Sequence, residues 1–259
     1  MSEDNASHTH RGSDLTRRKL LQGAGAGMLV VGGGGLLAAC GSSGSGGSST
    51  AAGATGASEG KPVSGGVLRI GAQGGATTDT LDANNILTNT DFARAAQLYD
   101  PLARLNLKGQ PELVLAESIT PNKTATEWTI KLKKGVKFHD GKPFGAKDVL
   151  YTFSRIIKGE YPAASVLGPL DLAQSKAVDD LTVLLKFKSP YSIFYESLAG
   201  SYEYVYMIPV GYNPNKPVGT GPFKLKSFTP GRESVTVKNT EYWEQPKPYL
   251  DEIRTININ

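Results

Sequence analysis

From Gly41 to Pro62 the chain is built almost wholly of glycine, serine, alanine and threonine. A segment with so little to bury cannot offset the conformational entropy lost on folding, so it behaves as a flexible coil. Any globular fold must therefore be written in the residues beyond it. The chain divides accordingly into an N-terminal segment (1–39), a tether (40–63) and a folding unit (64–259). From Ser64 onward, aromatics, β-branched residues and charges are mixed throughout, over a length sufficient for a real core.

The N-terminal segment reads as an address. Arg17 and Arg18 stand just before an uncharged stretch from Gly23 to Ala39, in which seven of the 17 residues are glycine. That stretch is too short and too weakly apolar for a membrane span, which needs about 20 predominantly apolar residues. It is predicted to be a signal sequence with a twin-arginine start. It ends in Leu37-Ala38-Ala39-Cys40, which resembles the lipobox of bacterial lipoproteins. Small residues admit the peptidase, and the Cys40 thiol takes a diacylglycerol and becomes the new N-terminus. The expectation is export, with a lipid anchor on the outer face of the cytoplasmic membrane. In the tether, Gly56-Ala57-Ser58-Glu59-Gly60 matches the G-x-S-x-G pattern of serine hydrolases. Without the strand-to-helix elbow that exposes such a serine, the match carries no chemistry.

Simple counts exclude several function classes. Cys40 is the single cysteine, so no intramolecular disulfide can form. Of three histidines, His8 and His10 precede the arginine pair and only His139 follows it. A His/Cys-rich zinc or nickel site cannot be assembled from that supply, and with His139 as the one histidine left the chain offers no credible nucleophile–base pair. No cofactor is expected. The net charge of +4 is mild, and no basic run is interleaved with aromatics, which argues against a nucleic-acid partner.

Periodicity places the main elements. Gly66 to Gly71 reads as a first strand, followed by a polar loop from Gln73 to Asp79. Phe92, Ala95, Ala96, Leu98 and Tyr99 indicate a short helix broken near Pro101. Trp128, Ile130 and Leu132 alternate as a half-buried strand, and Val183, Leu185 and Phe187 as another. A helix begins at Ala146, with Gly145 at the cap and Asp148 near the positive end of its dipole. Val149, Phe153, Ile156 and Ile157 share one face of it, and Gly159 stops it. Phe223, Leu225 and Phe228 form a strand returning through Val235 and Val237. Tyr249 to Asn259 reads as a last strand with no turn after it.

Two long blocks carry a resemblance: Trp128 through Phe144 with Ala146-Lys147-Asp148-Val149, and Pro217 through Leu225, continuing from Pro230-Gly231 to Trp243. With a weaker block from Pro111 to Ser118, they resemble the extracellular solute-binding proteins of family 5, the oligopeptide, dipeptide and nickel binders of ABC importers. The resemblance implies an α/β, periplasmic binding protein-like class II clamp of which this chain supplies lobe I. It implies a peptide solute, permease and ATPase subunits as partners, and no enzymatic activity. By the register of that family, solute contacts fall at Asn84, Asn85, Ile86 and Tyr161. Read from the residues alone, Asn84-Asn85 is equally a plain turn and Tyr161-Pro162 a capped loop. His139 reads as part of a turn, and Trp128 and Trp243 as core aromatics. Gly219-Thr220-Gly221-Pro222 brings backbone close either to solute or to a neighbouring strand.

The chain departs from the family pattern in three places. Leu81-Asp82-Ala83 replaces Leu-Asp-Pro, Gly145 replaces a Thr or Ser cap, and Met207 to Pro217 is too short for the usual helix. It is also expected to stop before the second lobe, so that this polypeptide binds peptide weakly. Other readings are a binder of oligosaccharide, haem or chelated nickel, a sensory or adhesive surface module, and, less favoured, an exported lipoprotein hydrolase.

Overall fold

The computed structural model describes residues 61–258. Arg17, Arg18, Leu37, Ala38, Ala39, Cys40 and the tether through Gly60 lie outside them.

Two four-stranded sheets organise the described chain. The first is assembled from its two ends. Strand β1 (Val67–Ala72) lies parallel to β10 (Glu252–Asn257), which pairs antiparallel with β9 (Glu233–Lys238), and β9 with β8 (Phe223–Thr229). The last strand, expected from sequence, is thus an interior strand of this sheet. Helix α1 (Asn89–Leu98) covers one face. The contact is unusually polar: Gln97 donates to Thr255 Oγ1 at 3.1 Å and accepts from Thr236 Oγ1 at 2.6 Å. The Arg94 guanidinium lies 4.9 Å over the Phe228 ring. Thr88 caps α1 in a reciprocal box with Asp91, an arrangement worth about 1 kcal/mol.

The second sheet is local in sequence. Its order is β4 (Ala116–Pro121), β5 (Glu127–Leu132), β7 (Thr182–Phe187) and β6 (Leu170–Asp179), antiparallel throughout. The predicted alternation holds: Trp128, Ile130 and Leu132 of β5 and Val183, Leu185 and Phe187 of β7 are buried. Helix α2 (Ala146–Lys158) lies against this sheet, with Val149, Phe153 and Ile156 fully buried. Helix α3 (Phe194–Gly200) and a 3-10 turn at Pro162–Leu167 complete the larger core. A two-stranded ribbon, β2 (Ala103–Leu105) with β3 (Pro111–Leu113), adjoins it. No helix forms between Met207 and Pro217, as the short segment implied.

A smaller core joins α1 to the returning chain through Ala83, Ile86, Leu98, Tyr99, Tyr206 and Ile208. Gly219 and Gly221 seat the chain on the C-terminal end of α1. A Cβ on Gly219 would come within 2.0 Å of the Leu98 carbonyl oxygen, and one on Gly221 within 2.4 Å of the Leu98 carbonyl carbon. The close approach that requires glycine at these two positions is therefore to a helix end, while the Pro222 carbonyl accepts the Asn239 N–H at 2.9 Å just beyond β9.

Candidate functional site

Helix α2 has a second face. Asp148, Thr152 and Arg155 are spaced four and three residues apart, so they form one polar stripe. Asp148 accepts the Gly145 N–H at 2.9 Å, the N3 half of a capping box whose Thr or Ser half is missing, and the Val210 N–H at 3.0 Å. Thr152 Oγ1 accepts from the Ile208 N–H at 3.2 Å. Arg155 meets Asp82 through both oxygens, at 3.0 and 2.6 Å, and donates to Asn84 Oδ1 at 2.9 Å. The apolar face of α2 thus builds the larger core while its polar stripe holds the segments that line the smaller one.

Around Arg155 the loop from Thr80 to Ile86 is tied down atom by atom. Asp82 Oδ1 also accepts the Asn84 N–H at 3.0 Å, and the Tyr212 hydroxyl accepts the Ala83 N–H at 3.2 Å. The hydroxyls of Tyr99 and Tyr212 meet at 2.6 Å beside the Leu81 carbonyl. Burial pushes the Tyr212 phenol up to about 12 and the Tyr99 phenol well above its ordinary value, so both stay protonated donors. The guanidinium itself stands 4.5 Å from the Tyr161 ring and 5.3 Å from the Tyr212 ring.

Arg155 therefore links the two segments that the family register assigns to solute, the loop at Asn84 to Ile86 and Tyr161. Within the loop the side chains divide. Asn84 is fully buried, with its amide donating to the Tyr206 carbonyl at 3.2 Å and its oxygen taken by Arg155, and Ile86 lies in the smaller core. Neither side chain faces outward in the described residues. Asn85 and Tyr161 are half-exposed, and Leu87 beside them is 70% exposed. Sequence reasoning passed over Arg155 and Asp82. The available signal was a charge spaced seven residues from Asp148 on a helix whose opposite face is apolar.

A second polar network secures the chain at the end of α1. Buried Asp100 accepts from Thr220 Oγ1 at 3.1 Å, Tyr242 Oη at 3.2 Å and Trp243 Nε1 at 3.0 Å. Burial raises its pKa to about 6 against these hydrogen bonds. His139 Nδ1 accepts the Gly219 N–H at 3.3 Å, which leaves Nε2 to carry the proton donated to the Gly221 carbonyl at 3.0 Å. Burial lowers its pKa to about 4, so the ring is neutral. His139 is spent on holding this loop. Trp128 is buried in the larger core, whereas Trp243 is half-buried with Lys133 Nζ 4.4 Å over its ring.

Among the described residues, no group of three or more His, Cys, Asp or Glu side chains could hold a metal ion. Also among them, no helix is long and apolar enough to cross a membrane. The surface hollow lined by Val136, Pro143, Phe144 and Leu181 reaches Gly145 and Asp148 at the start of α2 but not Arg155.

Comparison with known proteins places this geometry. The family model described as bacterial extracellular solute-binding proteins, family 5 Middle, matches residues 110–259. The oligopeptide-binding protein AppA of Bacillus subtilis is 34% identical over 212 residues, covering 76% of this chain and 38% of AppA. The glutathione-binding protein GsiB of Salmonella paratyphi A is 31% identical over 185 residues, covering 68% of this chain and 35% of GsiB. The chain thus spans less than half the length of these curated relatives. The solved structure of AppA with a nonapeptide superposes with a TM-score of 0.66 at 30% identity, over 76% of this chain and 41% of AppA. DppA from Helicobacter pylori with the peptide STSA gives 0.63 at 26%, over 76% and 43%.

Proposed function

Because the chain belongs to the bacterial extracellular solute-binding proteins of family 5, we propose that it is the peptide-capturing component of an ABC importer. The reading rests on one observation above the others. The curated relatives at 30% identity or more quoted above are named for oligopeptide and glutathione binding, and AppA superposes on this chain as a nonapeptide complex.

The loop at Asn84 to Ile86 and the Tyr161 ring form the solute-facing surface of this reading. With Asn84 and Ile86 turned inward, contact falls to the loop backbone, the Asn85 side chain and the Tyr161 ring. Such a surface reads an extended main chain and a flanking apolar group, the mode of strand-like peptide capture. The described residues meet a solute from one side only. Tight binding then requires an opposing surface that expels water and doubles the contacts.

Delivery and anchoring complete the proposal. Arg17 and Arg18 direct twin-arginine export, Leu37-Ala38-Ala39 precede the cleavage, and Cys40 carries the lipid. The segment from Gly41 then tethers the folded unit near permease and ATPase subunits at the outer face of the membrane. No chemistry of its own is assigned, in keeping with a family of binders.

Growth tests the reading. A strain lacking the gene should lose the use of peptides as a source of a required amino acid and keep the use of the free amino acid. Undiminished growth on peptides refutes import. Labelled palmitate should enter the wild-type protein and not Cys40→Ala, which should leave the membrane fraction. Labelling of Cys40→Ala refutes the anchor.

A further inference from the structure

We propose that Arg155 is the positioning residue of the solute-facing surface, setting the loop at Asp82 to Asn85 against the Tyr161 ring through its guanidinium fork. The inference rests on the functional reading above only for the word solute-facing; the geometry stands apart from it.

Three observations carry it. The guanidinium makes three hydrogen bonds to two side chains of the loop, a bidentate pair with Asp82 and one with Asn84. Its plane also packs against Tyr161, 4.5 Å away on the segment after α2, and against Tyr212 at 5.3 Å. Its backbone belongs to the stretch of α2 whose Phe153 and Ile156 are fully buried, so the fork is held on a rigid element. Arg155 is only 16% exposed and Asp82 10% at the side chain, so water competes little for these bonds.

Lysine cannot substitute for this arrangement. Its ammonium keeps the charge opposite Asp82 but cannot span both carboxylate oxygens and Asn84 Oδ1 while stacking on two rings. Arg155→Lys therefore separates charge balance from geometry. The natural reporters are the amides of Ala83, Asn84 and Asn85, which bond to Tyr212 Oη, Asp82 Oδ1 and the Asp82 carbonyl.

The experiment is amide hydrogen exchange on the full chain, comparing wild type, Arg155→Lys and the charge-balanced pair Arg155→Met/Asp82→Asn. In both variants, exchange at Ala83 to Asn85 should rise about tenfold or more while the amides of β5 and β7 keep their protection. Unchanged exchange at Ala83 to Asn85, or an equal rise across β5 and β7, overturns the proposal. No peptide is added, so a failure to bind peptide counts against the functional reading alone and leaves this result standing.

Discussion

Asp100 and His139 divide one three-residue segment between them: Asp100 accepts the Thr220 hydroxyl, while His139 takes the Gly219 N–H and donates to the Gly221 carbonyl. The two are displaced in opposite senses. Burial raises Asp100 to about 6 and lowers His139 to about 4, so each favours its neutral form in the fold.

That pairing predicts a pH signature. His139 contributes its full stability above its unfolded pKa of 6.5 and loses it as pH falls toward 4. Asp100 contributes fully below its unfolded pKa of 3.8 and loses it as pH rises through 6. Each change is worth about 3 kcal/mol, so the two nearly cancel between pH 4 and 6.5. Asp100→Asn should expose the histidine, losing about 3 kcal/mol more than wild type on acidification across that window. His139→Gln should show the reverse slope. Urea titrations at stepped pH check both, and parallel pH profiles would sink the pairing.

Gly219 and Gly221 should resist any side chain. Alanine at either position meets the backbone of Leu98, which cannot rotate aside. Gly221→Ala is expected to cost more than the about 1–3 kcal/mol usual for overpacking. Gly200→Ala, which meets nothing within 4 Å, should be neutral or slightly stabilising. Thermal melts of the pair decide.

The two faces of α2 should fail differently. Phe153→Ala empties a fully buried site in the larger core and should cost about 3–5 kcal/mol. Thr152→Val keeps the shape but leaves the Ile208 N–H without its acceptor, a loss of about 1–3 kcal/mol. Near-UV circular dichroism should then report disturbance around Tyr99, Tyr206 and Tyr212 for Thr152→Val. An unchanged spectrum would argue that the stripe does not hold the smaller core.

Arg94 answers two buried carboxylates, Asp79 at 3.4 Å and Asp91 in closer contact, with all three side chains at most 3% exposed. Arg94→Met should be strongly destabilising, by about 3–5 kcal/mol, because it strands buried charge. Adding Asp79→Asn to it should recover part of the loss. A double variant no more stable than the single would contradict this account.

Most elements were legible in the sequence because one face of each is apolar. Trp128, Ile130 and Leu132 alternate cleanly, and Val149, Phe153 and Ile156 recur at the helical spacing. What stayed hidden depends on polar atoms meeting across long separations. Periodicity shows Asp82 as a loop residue and Arg155 as a solvated helix residue, and only the fold brings them together. The interior of α1 is concealed likewise, since buried Thr90, Asp91, Arg94 and Gln97 look like a wet face in sequence. Among the candidate contacts, Asn84 and Ile86 carried no mark of direction, because a loop has no period from which to read inside and outside. Arg17, Arg18 and Leu37 to Cys40 lie outside the described residues, and their roles stand as proposed.

Among the described residues strand β1 pairs with β10 alone, Val67 opposite Glu252 and Ala72 opposite Asn257. The all-antiparallel sheet from Ala116 to Phe187 closes within its own stretch of chain. During synthesis, therefore, the inner sheet is free to consolidate early, whereas each β1 residue must wait for its partner 185 positions later in the chain. Its exposed Val67 and Leu68 make that waiting period the stage most open to mispairing with another molecule.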